Sequence, residues 1–121
     1  MATPESKVKK EVNRMLDWYP KAYRMTPTTG GYGKSGVPDI VVCVGGKFVG
    51  IECKANGNKP TALQLKNLNA IVAAGGYAFV VDEESIGVFK MMLDLIVWDK
   101  EEPKLHDFTK FSSTEDEVEN E

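Results

Sequence analysis

The stretch GVPDIVVCVGGKFVGIECK, Gly36 to Lys54, decides how this chain folds. Two strand-like runs, Asp39–Val44 and Lys47–Lys54, are separated only by Gly45-Gly46, the signal of a two-residue hairpin turn. With Val44 opposite Lys47, counting back along both strands puts Asp39 directly opposite Glu52. Directly opposed residues hold their Cβ atoms roughly 4.5–5.5 Å apart. Lys54, two residues beyond Glu52, points to the same face. Three charged side chains therefore converge on one patch of an otherwise apolar hairpin. The same register sends Cys43 to the face of Asp39 and Cys53 to the other, so the two cysteines do not pair.

Opposed like charges destabilise a sheet, and a buried carboxylate without a partner costs more. One reading is structural: Lys54 bridges both acids along a salt-bridged edge. Against it, Ile40, Val42, Val49 and Ile51 make the hairpin a buried one. The other reading places a divalent cation between the carboxylates. Two acids and little else suit a hard, oxygen-seeking ion such as Mg²⁺, and a neighbouring lysine can orient or deprotonate a water.

Working outward, Thr3-Pro4-Glu5 opens a helix with a hydroxyl cap, a proline and an acid. Val8, Val12, Met15, Leu16 and Tyr19 recur at helical spacing before Pro20 ends it. A short strand is expected over Ala22–Met25, and a glycine-rich loop, Gly30 to Gly36, leads into the hairpin. Beyond it, Thr61 starts a helix carrying Leu65, Leu68 and Val72, closed by Gly75-Gly76. Tyr77–Val81 reads as a strand, and Ser85 caps a last amphipathic segment to about Trp98. The order α, β, β-hairpin, α, β, α predicts a mixed α/β domain with the hairpin at the centre of its sheet. Gly33-Lys34-Ser35 resembles the end of a phosphate-binding loop, but that loop needs glycine at position 28, which is Thr28. A strand rather than a helix also follows, so no nucleotide cofactor is expected.

The 121 residues suffice for one domain with a modest core. We expect one domain over residues 1–110 and an acidic, disordered tail over 111–121. The net charge of −3 conceals an asymmetry: residues 1–66 hold 11 basic and 5 acidic side chains, which suits a polyanionic partner. No apolar run resembles a membrane span or signal peptide, so a cytoplasmic protein is the expectation. Two cysteines are too few for a disulfide framework or a zinc site. His106, the only histidine, lies in a polar segment and reads as a surface residue.

Pro38-Asp39 followed by Glu52-Cys53-Lys54 resembles the PD-(D/E)xK nuclease signature. More narrowly, Gly36-Val37-Pro38-Asp39-Ile40, Ile51-Glu52-Cys53-Lys54 and Gln64 look like the VRR-NUC group, whose stand-alone members occur in phages and bacteria. The resemblance covers about residues 5 to 95. It implies a restriction-endonuclease-like core with a mixed central sheet flanked by helices. It also implies Mg²⁺, or Mn²⁺ as a substitute, held by Asp39, Glu52 and the backbone carbonyl of Cys53, with Lys54 assisting the attacking water. An N-terminal-helix glutamate belongs to such sites, and Glu11 matches it. Gln64 is a family site residue, although Thr61-x-x-Gln64 is also a capping box that explains the glutamine without chemistry. The resemblance makes the Gly30–Gly36 loop the lead-in to the metal-binding strand, with Arg24, Lys34 and Ser35 placed to contact DNA phosphates. Branched DNA, and a homodimer resolving Holliday junctions, are the implied substrate and assembly. Alternatives are a nuclease for nicks, flaps or linear duplex, and a DNA-binding module that does not cleave.

Overall fold

A computed structural model describes residues 3–27, 35–98 and 105–109. Three helices and five strands follow one another: α1 (Pro4–Leu16), β1 (Ala22–Met25), β2 (Ile40–Val44), β3 (Lys47–Cys53), α2 (Ala62–Ala73), β4 (Tyr77–Val81), α3 (Ile86–Trp98) and β5 (Leu105–Asp107). The strands form one mixed sheet in the order β1-β2-β3-β4-β5. β1, β2 and β3 are antiparallel, while β3, β4 and β5 are parallel, so β3 sits at the centre of the described sheet. Among the described residues no helix is long and apolar enough to cross a membrane.

The hairpin has the register its turn dictates. Val44 pairs with Lys47 and Ile40 with Ile51. Gly45 and Gly46 have φ of 58° and 78°, the left-handed conformations a primed two-residue turn requires at both positions. α1 and α3 cover one face of the sheet. There Val8, Val12, Met15 and Leu16 of α1 and Phe89, Leu93 and Ile96 of α3 bury against Ile40, Val42, Val49, Ile51 and Phe79. α2 covers the other face with a smaller cluster, Leu68 against Ala78 and Val80. The result is three layers, with the alternation of β4 splitting Tyr77, Phe79 and Val81 from Ala78 and Val80.

Two expectations change. The sequence order lacked β5, whose three residues are too short to show a period; it pairs in parallel with β4, Phe79 beside His106. His106 is consequently buried rather than at the surface, its ring stacked on Phe79 with centroids 4.9 Å apart. On α3, Ile96 is core and Met92 is partly buried against it. Val88, Met91, Leu95 and Trp98 instead stay exposed, at 45%, 69%, 43% and 80%.

Candidate metal and nucleic-acid site

The site lies where β2 ends and β3 continues. Asp39 precedes Ile40, where the β2–β3 ladder begins, and meets β3 with its side chain instead of its backbone: its Oδ2 accepts from the Cys53 N–H at 2.8 Å. An N–H and a C=O of one strand residue point to the same side, so the Cys53 carbonyl faces this gap as well. On its far side β3 is tied to β4, with Lys54 N–H donating to Val81 O at 2.8 Å. The segment Glu52–Lys54 is thus fixed on one side by backbone and on the other by a carboxylate.

The loop that delivers Asp39 is fastened to α2. Gly36 has φ of +79°, and a Cβ there would stand 2.7 Å from Leu63 Cγ and 2.9 Å from Asn67 Nδ2. Asn67, buried, donates to Ser35 O at 3.3 Å and Leu63 O at 2.9 Å, tying loop to helix. Asn67 carries no motif that marks it in the sequence. Its one signal was a polar residue beside Leu68 on the apolar side of α2.

Glu52 is 2% exposed and Lys54 7%. Lys54 Nζ stands 3.6 Å from Glu52 Oε2, while Glu52 Oε1 is buried with no hydrogen-bond partner among the described residues. Burial first, and then the negative charge of Asp39, push the Glu52 carboxyl up from 4.5 to about 8, against the opposing pull of Lys54. The Cys53 thiol is pushed up by burial and by the same carboxylates. A site that disfavours its own carboxylate and leaves one oxygen unpartnered is one that a cation relieves. The donor set fits a hard divalent ion: Asp39, Glu52 and the Cys53 carbonyl, all oxygen. The described residues contain no group of three or more His, Cys, Asp or Glu side chains arranged around a metal.

The remaining expected residues fall in different places. Glu11 is not brought to the cluster: it is exposed, pairs with Arg14, and lines a groove with Glu83 and Ile86. The α1 carboxylate that comes to Asp39 is Glu5, which with Thr3, Ser6 and Lys9 lines a small cleft of about 190 Å³ against it. Arg24 is engaged elsewhere, because β1 runs beside the last turns of α1. Its guanidinium donates to Asn13 O at 3.0 Å and pairs with Asp17 at the helix C-cap. Gln64 closes the capping box, its Oε1 accepting from Thr61 N–H at 2.9 Å and its own N–H donating to Thr61 Oγ1. Ser35 is exposed and contributes its carbonyl to Asn67. Lys34, the glycines at 30, 31 and 33 and the acidic tail lie outside the described residues.

No family model matches the chain. It is similar to a protein of Acyrthosiphon pisum secondary endosymbiont phage 1, described as "Putative nuclease p44". The two are 40% identical over 55 residues, a segment spanning 45% of this chain and 59% of the phage protein.

Proposed function

We propose that this chain is a metal-dependent DNA endonuclease of the PD-(D/E)xK type, hydrolysing phosphodiester bonds with Mg²⁺ or Mn²⁺. The observation that carries the reading is the Asp39–Glu52–Lys54 cluster, with Glu52 and Lys54 buried, Asp39 partly buried, and Glu52 Oε1 unpartnered among the described residues. The similarity to a phage protein named as a nuclease supports it. Asp39, Glu52 and the Cys53 carbonyl would hold the ion, with Glu5 the α1 carboxylate nearest to join them. When bound, the ion supplies Lewis acidity and a more acidic water.

The protein's own groups do the rest. Asp39 is anchored through Oδ2 on the Cys53 N–H and would offer its other carboxylate oxygen to the ion. Lys54, held within reach of Glu52 in a nearly water-free site, directs an N–H at the attacking water and offsets charge developing on phosphorus. Water adds to phosphorus and gives up a proton to solvent, the P–O bond to the leaving oxygen breaks, and that oxygen takes up a proton from solvent.

Branched DNA and a symmetric homodimer are the finer part of this reading. Two sites related by a two-fold axis suit paired cuts in two strands. The exposed stripe Val88, Met91, Leu95, Trp98 supports a dimer, since its alternating spacing of three and four matches a helix-packing seam. Cleavage should be assayed on junction, flap, nicked and linear DNA with Mg²⁺ and again with EDTA. Mn²⁺ calorimetry on the parent, Glu52→Gln and a one-residue insertion at Gly45-Gly46 tests the site itself. Equal binding in all three would sink it, because the insertion slips Asp39 out of register with Glu52.

A further inference from the structure

Among the described lysines and arginines, four are not solvent-exposed: Lys9, Arg24, Lys47 and Lys54. Three of these have a partner. Arg24 pairs with Asp17, Lys47 donates to Ile96 O, and Lys54 lies beside Glu52. Lys9 has neither an ion pair nor a side-chain hydrogen bond among the described residues, yet it is half-buried and lines the cleft that opens on Asp39. Glu5, one helical turn earlier, has the spacing of an i,i+4 partner, but the two charged groups form no ion pair. Lys9 thus shares its cleft with the carboxylates of Glu5 and Asp39 but is ion-paired with neither among the described residues, which leaves its ammonium uncommitted for an anion that enters.

We infer that Lys9 is a phosphate-contacting residue. It holds a backbone phosphate of the nucleic acid on the α1 side of the sheet rim, across Asp39 from Lys54. The inference rests on the nuclease reading for its ligand class and extends it by a residue that the signature does not contain. Lys54 belongs to the α2 face of β3, whereas Lys9 reaches the rim from the helix covering the other face. Two cations therefore approach the carboxylate gap from opposite layers. The Lys9 contact is made to bound substrate and transition state alike, so it acts on affinity more than on turnover.

The test compares parent, Lys9→Gln and Lys9→Arg. Anisotropy of a fluorescein-labelled duplex, in EDTA across a series of KCl concentrations, reads the contact directly. For Lys9→Gln the expected result is binding about tenfold weaker, with the slope of log affinity against log salt reduced by about one. Lys9→Arg restores both. In Mg²⁺, Lys9→Gln raises KM by a similar factor with kcat little changed. Unchanged affinity and slope in Lys9→Gln overturn the proposal. So does a lowered melting temperature with parental affinity, which marks a helix-stabilising pair with Glu5, and so does a change confined to Mn²⁺ binding. If the parent neither takes up Mn²⁺ nor cleaves, the nuclease reading fails, and the anisotropy comparison still decides whether Lys9 meets phosphate.

Discussion

The two faces of β3 are built on different principles. Toward α1 and α3 the strand presents Val49, Ile51 and Cys53, all essentially inaccessible and packed among Phe79, Phe89 and Leu93. Toward α2 it presents Gly50, Glu52 and Lys54, and the apolar cluster on that side is only Leu68, Ala78 and Val80 with partly buried neighbours. The same backbone carries a dense hydrocarbon core on one side and a dehydrated charge cluster on the other. Removing water from apolar groups stabilises by about 25 cal/mol per Å², while removing it from a carboxylate costs free energy unless a partner compensates. The first face therefore holds the sheet together, and the second gives up stability to a buried charge cluster.

Substitutions on the two faces should separate these roles. The largest effect on stability is expected from Phe79→Ala, which empties the position contacting Phe89, His106 and Phe108. It should cost about 3–5 kcal/mol in denaturant unfolding, a large share of the stability of a small domain. A loss under about 1 kcal/mol would mean that the α1/α3 face is not the one carrying the fold. On the opposite face, Lys54→Met keeps the aliphatic stem and removes the charge. Cleavage should fall by about two to three orders of magnitude with Mn²⁺ binding retained, and near-parental turnover would remove Lys54 from the mechanism.

A third comparison uses pH. The folded protein holds the Glu52 proton up to about 8, whereas the unfolded chain releases it near 4.5. The folded state thus binds more protons between those values, and stability falls as pH rises through that window. In chelator, the parent's melting temperature should decline by several degrees from about pH 5 to pH 8.5, while Glu52→Gln stays flat and exceeds the parent at the upper end. Parallel curves would show that Glu52 is not proton-bearing. The smallest effect concerns α1: Glu11→Gln removes only an exposed pair with Arg14, so stability should change by under about 0.5 kcal/mol and cleavage should not change. Glu5→Gln should weaken Mn²⁺ binding or cleavage instead; if Glu11→Gln is the damaging change, the roles of the two glutamates are reversed.

How much of this was legible in the sequence depended on whether the deciding interaction was local. The hairpin register was legible because a two-residue turn fixes pairing and alternation fixes face, and the Thr61–Gln64 capping box was legible because its partners are three residues apart. Which acid of α1 comes to Asp39 was not. Helical period shows which residues border the buried stripe, but not which end of the helix crosses the strand ends, and that is set by packing against β3. Arg24 was misplaced for the same reason, since nothing local reveals that β1 lies beside Asn13 and Asp17. His106 read as a surface residue because the segment around it, EEPKLHD, is mostly charged; its burial comes from a parallel strand partner far away in the chain.

The turn at Gly45-Gly46 also has a consequence for inheritance. Asp39 lies one residue before Ile40, and Glu52 one residue after its partner Ile51, on two strands that share one tight reversal, so the interval between them acts as a ruler. Many residues along it can be exchanged for others of similar bulk, but a single insertion or deletion changes the phase of one carboxylate against the other. The loop at Asn56 to Pro60 joins β3 to α2 and, although Asn56 and Lys59 hydrogen-bond to Glu83 and Thr109, it does not set the phase of either carboxylate. A scan of single-residue insertions should therefore show a sharp boundary: near-uniform loss between positions 39 and 52, and tolerance within a few residues beyond Lys54.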